Sequence, residues 1–510
     1  MNWLRQHRNE LFVFLALLLC YGYFLPRWAS WNQNSRLDLV MAVVDEGTLS
    51  IDHYYQNTGD YAAFNGHYYS DKAPGSAFLG VPVYAAIRPI LNSSPMQQAM
   101  NRLAQSDAFG ATLKKEGTGL LTDKIYFALV LYIVTFTVVS IPSALLGVLI
   151  YKFLGAFAER SVWRVVVALL YGLATNAFPY SGSFLGHQIV AFLLFGAFYL
   201  AYLIGQGRAS LRWTLLTGLM LSYAVITEYP TALIAAAIFG YVWLVLPDRR
   251  WMIALIGGGL PPGLLLMAYD WAIFGNVLPV GYMHSEMYTD IHGQGFISLV
   301  GPSLPALWGI TFGSFRGLFF IAPILLLAVP GFVIWWRQGK CRWEWGVCLW
   351  AVVSFILFNG SSVMWHGGYS VGPRYLLPMV PFIAVALGVC VIQWGDRQWV
   401  RLLTIVLGTW SVAAVWAETL GGQSFPDWTL DPLFNYSIPN LMAGDVARNL
   451  GMALGQSHLM SLIPLGVILV SFTLLWAIAG ARDILPSQIV ELTGPEPRPA
   501  GRREELHSDV

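Results

Sequence analysis

Charged residues are scarce in this chain. Only 11% of its 510 residues are Asp, Glu, Lys or Arg, whereas soluble domains carry about 25%. Hydrophobic residues make up 56% of the sequence, more than a water-soluble fold of this length can bury. The composition therefore predicts an all-α polytopic membrane protein. The net charge of +1 argues neither for nor against nucleic acid. No basic stripe with nucleic-acid spacing appears, so we expect no nucleic acid among its partners.

Cysteine is also scarce. The four cysteines lie in or beside hydrophobic runs, and none lies in a large polar loop: Cys20, Cys341, Cys348 and Cys390. This placement argues against a disulfide framework or a CxxC metal site and predicts inert thiols. A small-residue cleavage site is missing after the first apolar run, so we expect an uncleaved first span instead of a signal peptide.

Long apolar runs predict about twelve transmembrane helices, since a spanning helix needs about 20 apolar residues. The predicted spans are 10–26, 125–151, 165–181, 186–205, 213–227, 229–247, 251–273, 317–336, 344–359, 375–394, 402–419 and 459–480. The segment 76–91 is also apolar, but counting it as a span would put the basic loops outside. We interpret it and 35–46 as helices on the membrane surface, the latter capped by Ser35 and ended by Gly47.

The distribution of Lys and Arg predicts the orientation. With the N-terminus inside, 18 of the 29 basic residues fall in cytoplasmic segments. Eight of the others lie in the first outer loop, which leaves only Arg316, Arg374 and Arg448 elsewhere on the outer face. Positive charge is so sparse there that each of these residues is a candidate for a specific role.

These counts divide the chain into two parts. A transmembrane module covers 1–480, with a long first outer loop at 27–124 and a late outer loop at 420–458. A Pro-rich, charged tail at 481–510 is predicted to be cytoplasmic and disordered. We expect an integral protein of the bacterial inner membrane, with both termini in the cytoplasm.

Ionisable residues cluster at the outer mouths of several predicted spans, where such residues are costly and usually functional. Four groups share this depth: Asn57-Thr58-Gly59-Asp60 with Tyr69-Ser70-Asp71-Lys72-Ala73-Pro74-Gly75, then Ser183 to His187, then Thr227-Glu228-Tyr229-Pro230, and finally Trp365 to Tyr375 with His366 and Arg374. Their convergence predicts one site between the spans and the first outer loop. A structural alternative stays open, in which Glu228 forms a buried ion pair with Arg374 or Arg316.

The long first outer loop, the Lys72-Pro74 break and the late Arg374 together resemble the GT-C glycosyltransferases. The layout is most similar to protein O-mannosyltransferases and lipid A aminoarabinose transferases. Ser35-Arg36 resembles their acidic-x-Arg-Tyr-Ala helix, and Asp71 to Gly75 resembles their Lys-Pro-Pro segment. His187 falls where these families carry an Asp, and Thr227 to Pro230 falls on their Thr-Lys-Gly turn. The resemblance covers nearly the first 400 residues.

One departure from these families concerns the catalytic acid. They place an acidic pair just before the Arg, where this chain has Gln33 and Asn34. Either another carboxylate takes the role of the base or this chain uses different chemistry. The candidate carboxylates are Asp60, Asp52 and Asp38. Asp60 and Asp52 rank above Asp38, because Asp38 can equally belong to the polar face of a surface helix.

The resemblance implies transfer of a sugar from a polyprenyl-phosphate carrier to a glycan, lipid or protein acceptor on the outer face. Such a displacement needs a carboxylate to take the acceptor proton and cations to stabilise the leaving phosphate. We expect Lys72, Arg374 and Arg316 to bind the donor phosphate. The residues expected to orient the substrate are His187, Glu228, His366, Asp71 and Tyr69.

The sequence fixes neither a metal site nor the role of the aromatic residues. His187 and His366 are candidate ligands for Mg²⁺ or Mn²⁺, but no dense carboxylate cluster marks a metal site. Exposed aromatic residues have two interpretations, sugar stacking or an interfacial belt. These residues are Tyr68, Tyr69, Trp308, Trp365 and Tyr369.

Two other functions stay open. A transporter or flippase for a lipid-linked sugar would use the same cations without a base, although no internal repeat appears and few charged residues lie deep in the spans. An assembly subunit that has lost activity is the other, since the acidic pair before Arg36 is missing.

Overall fold

The computed structural model describes residues 2–26, 30–105, 124–159, 162–208, 210–278, 281–287 and 298–492. Helices dominate these residues, which confirms an all-α polytopic membrane protein. Seven helices are long and apolar enough to cross a membrane: Lys124–Ala156, Gly186–Arg208, Arg249–Phe274, Arg342–Gly360, Arg374–Trp394, Gln398–Gly421 and His458–Gly480.

Four shorter apolar helices account for most of the other predicted spans: Val162–Leu173, Leu211–Thr227, Tyr229–Val245 and Pro323–Gln338. A fifth, Gly75–Leu91, is the segment interpreted as a helix on the membrane surface. The first predicted span forms the 16-residue helix Arg8–Tyr23. Each of the twelve predicted spans thus coincides with helical structure, while twelve membrane crossings stay a prediction.

The long helical stretches are built from shorter regular α-helices. In the first half of the described chain these are Asn2–Gln6, Arg8–Tyr23, Trp31–Met41, Gly75–Leu91, Ser94–Ala104, Lys124–Thr135, Ile141–Phe153, Val162–Leu173, Ala177–Ser181, Gly186–Leu203, Leu211–Thr227, Ala232–Val245 and Met252–Phe274. In the second half they are Leu304–Thr311, Leu318–Ile321, Ala328–Gln338, Arg342–Gly360, Val380–Trp394, Gln398–Gly421, Ile438–Met442, Leu450–Ala453 and Ile463–Leu492.

Close packing of the bundle depends on small residues. A Cβ atom at Gly218 would lie 1.8 Å from the carbonyl oxygen of Leu255, and one at Gly258 would lie 2.0 Å from that of Leu215. The helices Leu211–Thr227 and Met252–Phe274 therefore touch backbone to backbone, as is typical of membrane helices that meet at glycine. This contact fixes the position of the turn that follows Thr227.

The helix Trp31–Met41 is the first element of the outer loop, and its sequence is unusually polar for a buried helix. It begins after Ser30, so the prediction that Ser35 caps it is wrong. Ser35 lies inside the helix, where its hydroxyl is 2.8 Å from that of Ser70. A π-helical turn, Ala42–Glu46, continues the helix to Gly47, whose φ of 68° ends it as predicted.

Both sides of the helix Trp31–Met41 are covered by the rest of the chain. Buried apolar residues such as Leu37 and Val40 pack in one cluster with Tyr84 of the helix Gly75–Leu91. Its polar side chains are buried as well and find partners there. For example, Gln33 accepts a 2.7 Å hydrogen bond from the backbone N–H of Phe184. The helix therefore joins the first loop to the bundle.

A two-stranded antiparallel hairpin follows that helix. Strand β1 is Tyr61–Phe64 and strand β2 is His67–Ser70, in a register that pairs Phe64 with His67 and Tyr61 with Ser70. The two residues between the strands, Asn65 and Gly66, both have positive φ, at 52° and 80°. This is the geometry that Asn-Gly turns adopt in tight hairpins. The open end of the hairpin lies at Tyr61 and Ser70.

The last helix runs from Ile463 to Leu492. It therefore continues into 481–510, the segment for which the sequence predicts a disordered cytoplasmic tail. The remainder of that tail, 493–510, lies outside the described residues, and its location stays a prediction.

Candidate functional site

The hairpin brings two carboxylates to one lysine. Asp60 directly precedes β1 and Asp71 directly follows β2, so the Tyr61–Ser70 pair places both at the open end. The Nζ atom of Lys72 lies 3.1 Å from Oδ2 of Asp60 and 3.0 Å from Oδ1 of Asp71. All three side chains are largely buried. We call these three residues the lysine triad.

The electrostatics of the lysine triad keep Lys72 charged. Burial by itself lowers the pKa of Lys72, but Asp71 and Asp60 outweigh that effect and raise the pKa above its ordinary value. The pKa of Asp71 is also raised, because burial outweighs the attraction of Lys72. Ser285 supports Asp71 by donating a 2.9 Å hydrogen bond from its hydroxyl to Oδ2. An anion that enters here would meet a permanent cation.

A second ion pair joins the first loop to the turn after Thr227. Arg36 donates from Nη2 to Oε1 of Glu228 at 2.8 Å, and Nδ1 of His187 lies 3.7 Å from the same oxygen. Glu228 pairs with neither Arg374 nor Arg316, so that part of the structural alternative is wrong. The reason is that Arg36 lies inside the bundle on the buried helix Trp31–Met41.

The two charged groups adjoin each other through the Pro74-Gly75 break. Arg36 donates from Nη1 to the hydroxyl of Ser76 and to the carbonyl of Ala73, the latter at 3.3 Å. A Cβ atom at Gly75 would lie 2.3 Å from Oγ1 of Thr227, so only glycine fits against this turn. The break therefore presses the segment that carries Lys72 onto the residue before Glu228.

Arg374 completes the charged cluster. It lies within electrostatic range of Asp60, and His187 lies within range of both Arg374 and Lys72. The Nε atom of Arg374 is buried and has no hydrogen-bond partner among the described residues. Three of the four predicted polar groups thus meet directly around Lys72, Glu228 and His187, and Arg374 brings in the fourth.

The contacts of Arg316 differ from those expected of a residue that binds the donor phosphate. Its guanidinium donates to the carbonyls of Phe315, His366 and Gly368, with 3.0 Å from Nε to His366. The same group lies over the ring of Phe425, 4.6 Å from its centroid. These contacts hold the loop before Arg374, so Arg316 fits a structural role better than phosphate binding.

His366 also belongs to this loop. Its Nδ1 accepts a 3.1 Å hydrogen bond from the backbone N–H of Gly368. Burial, with Arg316 adding to it, lowers the pKa of His366, so the imidazole is neutral at neutral pH. The described contacts place it beside Arg316 and give it no contact with the lysine triad.

The other two candidate bases lie apart from Lys72. Asp38 is fully buried, and among the described residues its side chain accepts a hydrogen bond from the amide of Asn57 to Oδ1, at 3.4 Å. Burial raises the pKa of Asp38 well above its ordinary value, which makes it a poor candidate for an ionised base. Asp52 lies at the closed end of the hairpin, where His67 and the N–H of Tyr68 contact it at 2.7 Å.

Asp52 is therefore tied to the hairpin turn. Partial burial raises its pKa, but hydrogen bonds from Tyr68 and His67 outweigh that effect and lower the pKa overall. Of the three candidates, Asp60 is the one that the described contacts place against Lys72, at 3.1 Å. Which of the three is the base stays a prediction.

Aromatic side chains line the hairpin. Tyr69 packs near Phe274, with 6.1 Å between ring centroids, while Tyr68 stacks on Tyr55 at 4.0 Å. Trp308 and Tyr369 are exposed, as both a sugar platform and an interfacial belt would require. None of these contacts decides between the two interpretations of the aromatic residues.

Sequence reasoning missed three residues of the cluster. Arg36 was noted only for its resemblance, and Ser285 and Tyr282 were not considered. Tyr282 lies within electrostatic range of Lys72, Glu228 and Arg36. No sequence pattern marks the segment 281–287, because its role depends on contact with a hairpin more than 200 residues earlier.

Potential metal ligands do not gather in large groups. In the part of the chain that the structure describes, no group of three or more His, Cys, Asp or Glu residues is arranged to hold a metal ion. All four cysteines are free thiols, and three of them are buried. The prediction of Mg²⁺ or Mn²⁺ at His187 and His366 thus stays a prediction.

Comparisons with known proteins point to one group of solved structures. No family model matches the sequence, and no curated protein sequence matches it. The path of the backbone is similar to that of ArnT from Cupriavidus metallidurans. Two structures of ArnT match, one bound to undecaprenyl phosphate and one in the apo state, both at 15% identity.

The similarity extends over most of both chains, but the TM-scores and the sequence identity are low. The matches cover 92% of this chain and 76% and 75% of ArnT, with TM-scores of 0.44 and 0.45. ArnT is a lipid A aminoarabinose transferase with a GT-C fold, which is one of the two groups that the sequence resembles. At this level the similarity assigns no role to any residue.

Proposed function

We propose that this protein is an integral-membrane glycosyltransferase that moves a sugar from a polyprenyl-phosphate carrier to an acceptor. The observation that carries the proposal is the lysine triad, a charged lysine between two carboxylates with Arg374 in electrostatic range. Displacement at an anomeric carbon needs these two kinds of group together, a base for the acceptor and cations for the leaving phosphate.

Lys72 and Arg374 are the proposed phosphate-binding residues. Lys72 supplies a compact charge, and Arg374 supplies a planar guanidinium suited to two oxygens of one phosphate. The buried Nε of Arg374 has no hydrogen-bond partner. A buried donor without a partner is costly, so a bound phosphate oxygen would relieve that cost. Arg316 is left out, because its guanidinium already donates to three carbonyls.

Asp60 is the proposed base. In the free protein its carboxylate is paired with Lys72 at 3.1 Å. A donor phosphate that takes over the hydrogen bonds of Lys72 would loosen this pair and leave the carboxylate free to contact the acceptor. Donor binding would thereby place Asp60 to accept the proton of the acceptor hydroxyl. Asp71, held by Ser285, is then the partner that keeps Lys72 in place.

His187, Glu228 and Arg36 form the proposed frame of the site. The Arg36–Glu228 pair fixes the segment that carries Lys72 against the turn at Thr227. His187, next to Glu228 and within electrostatic range of Arg374, is placed to orient the sugar or the phosphate. Tyr69 and His366 stay as weaker candidates for orienting the substrate.

The location follows from the distribution of basic residues. With both termini in the cytoplasm, the lysine triad lies on the outer face of the bacterial inner membrane. The proposed acceptor is a glycan, lipid or protein there. If the donor carries Mg²⁺ or Mn²⁺, Asp60 and Asp71 are the carboxylates beside the proposed phosphate position, and Mg²⁺ is commonly bound by one or two carboxylates plus substrate phosphates.

Transfer by the purified full chain tests the proposal. The protein is reconstituted in vesicles with radiolabelled sugars on undecaprenyl phosphate and with envelope lipid and glycan acceptors. We expect covalent transfer, and we expect Lys72→Ala, Arg374→Ala and Asp60→Asn each to reduce turnover strongly. Asp52→Asn is the matched control, because Asp52 is a nearby carboxylate that contacts the opposite, closed end of the hairpin at His67 and Tyr68.

The three functions predict different results. Near-normal turnover in all three site variants, with the fold intact, would overturn the assignment of the site. Movement of the labelled lipid across the bilayer without covalent transfer would identify a flippase. No transfer and no movement with any donor would support an assembly subunit.

A further inference from the structure

A buried glutamate lies at the end of the helix Gln398–Gly421, apart from the lysine triad. Glu418 is only 1% exposed, and neither of its carboxylate oxygens has a hydrogen-bond partner in the part of the chain that the structure describes. An isolated carboxylate in a protein interior costs several kcal/mol, so it is normally neutralised or bound. Glu418 belongs to neither of the charged groups described above and has no part in the proposed transfer.

Further buried oxygens without a hydrogen-bond partner among the described residues lie in the late loop that follows Glu418. One is Oδ1 of Asp431, which is within electrostatic range of Glu418. Another is the hydroxyl of Thr429, two residues earlier and 1% exposed. The backbone of Ser437 abuts Gly421 in the last turn of the same helix, and its buried hydroxyl is also unpartnered. Four side chains therefore each carry a buried oxygen without a hydrogen-bond partner among the described residues: Glu418, Thr429, Asp431 and Ser437.

The nearest cation does not satisfy these oxygens. Arg316 is within electrostatic range of Glu418, but its guanidinium donates to three backbone carbonyls. Two carboxylates thus face one positive charge whose N–H groups point elsewhere. Sharing a proton between Glu418 and Asp431 would require a hydrogen bond between them, and none of their three buried oxygens has one among the described residues.

We propose that Glu418 and Asp431, with the hydroxyls of Thr429 and Ser437, bind a divalent cation of the hard class, Ca²⁺ in the first place. Ca²⁺ takes oxygen ligands at about 2.3–2.6 Å in flexible geometry. It can therefore bridge oxygens that lie up to about 5 Å apart, too far for a hydrogen bond. Mg²⁺ demands a stricter octahedron and suits this mixed set of helix and loop residues less well.

A cation here would connect the late loop to the end of the helix Gln398–Gly421, next to the loop before Arg374. The two loops already pair through their backbones, since Val371 donates to the carbonyl of Gln423 at 3.2 Å and Phe425 donates to that of Tyr369 at 3.1 Å. Asp431 follows this paired segment, and Glu418 precedes it. The cation would close the late loop at its base and hold the pairing in register.

Direct binding to the purified full chain tests this site without any transfer assay, so its failure is distinct from failure of the proposed function. Protein stripped with EDTA is dialysed against ⁴⁵Ca²⁺, with and without Mg²⁺ as competitor. With two carboxylates we expect one saturable site with a Kd of roughly 10⁻⁴ to 10⁻³ M. Ca²⁺ should also raise the midpoint of thermal unfolding by mass action.

Variants distinguish this site from surface binding. Glu418→Gln and Asp431→Asn should each weaken Ca²⁺ binding by about tenfold or more and remove the shift in the unfolding midpoint. Asp427→Asn, an exposed acid of the same loop, should change neither. If Glu418→Gln fails to fold, Asp431→Asn still decides, since Asp431 is only partly buried. The proposal is overturned if wild-type protein shows no saturable Ca²⁺ site or if Asp431→Asn binds Ca²⁺ normally. Stronger binding of Mg²⁺ than of Ca²⁺ would overturn the choice of ion.

Discussion

The Nζ atom of Lys72 lies 3.1 Å from Oδ2 of Asp60, and both side chains are buried at the open end of the hairpin. The pair separates two roles that a single variant of either residue can test. If Asp60 is the base, Asp60→Asn should lower kcat by roughly 10²- to 10⁴-fold. Its affinity for undecaprenyl phosphate should be unchanged or higher, because Lys72 then has one fewer anionic partner.

Lys72→Ala should instead weaken the binding of undecaprenyl phosphate and also lower kcat. Titration of the lipid into each purified variant gives affinity, and the vesicle assay gives kcat. Lys72→Arg serves as the comparison that keeps the charge. Equal loss of lipid affinity in Asp60→Asn and Lys72→Ala would argue that the lysine triad is only structural.

Replacing one residue of the Arg36–Glu228 pair should lower the free energy of unfolding strongly, because the other charge is left buried without its partner. Glu228→Gln leaves a buried guanidinium without its counter-charge, which typically costs about 3–5 kcal/mol. Replacing both residues, by Arg36→Met with Glu228→Gln, should cost less than the sum of the single changes. Unfolding of the four proteins in detergent gives the coupling free energy.

The exposed pair of Arg448 and Asp445, at 3.3 Å, is the matched control for that cycle. Surface pairs are worth about 0–1 kcal/mol, so its coupling should be small. A coupling for Arg36 and Glu228 no larger than this control would contradict the structural importance of the buried pair.

Asp38 and Asp52 should respond to pH in opposite directions. Burial raises the pKa of Asp38 when the protein folds, so its contribution to stability is complete below about pH 4 and is lost as pH rises toward the folded pKa. Asp38→Asn should therefore be more stable than wild type at pH 8, with a smaller difference at pH 5. Thermal unfolding at several pH values measures this.

Asp52 has a lowered pKa in the folded protein, mainly because hydrogen bonds from Tyr68 and His67 outweigh burial. Its contribution is present above about pH 4 and is lost as pH falls through the folded pKa. Asp52→Asn should be slightly less stable than wild type at pH 7, and the difference should shrink in acid. A common pH trend for the two variants would contradict these assignments.

Gly75 should tolerate no side chain. A Cβ there would lie 2.3 Å from Oγ1 of Thr227 and 2.8 Å from its backbone, so Gly75→Ala must displace the turn before Glu228. Overpacking of this kind costs about 1–3 kcal/mol and should reduce transfer by shifting Lys72. Gly240→Ala, in a helix with nothing within 4 Å of the added Cβ, should be neutral or stabilising. Equal stability of the two variants would refute the proposed contact.

The sequence predicts the helices and part of the site well, because both depend on local patterns. Apolar runs locate the spans, and the dense charge around Asp71 and Lys72 locates the triad. The hairpin was missed, although Asn65-Gly66 between alternating residues is a strong signal for it. With that signal, Asp60 and Asp71 could have been placed side by side from the sequence.

The partner of Glu228 could not have been predicted in the same way. Arg36 and Arg374 both have the right charge, and a choice between them needs the path of the whole chain. Burial of the polar helix Trp31–Met41 is likewise a tertiary effect, since its sequence is as polar as that of a surface helix. Ser285 and Tyr282 reach the site only because their segment packs on the hairpin.

The two residues of the Arg36–Glu228 pair are synthesised at different times. Glu228 is made 192 residues after Arg36, which at 5–20 residues per second is a delay of roughly 10 to 40 s. During that time the first loop carries a guanidinium whose permanent partner has not yet left the ribosome. The N-terminal third of the chain therefore cannot reach its final form while it is being inserted, and a ribosome-bound chain truncated before Glu228 would display that unfinished loop to chaperones and proteases.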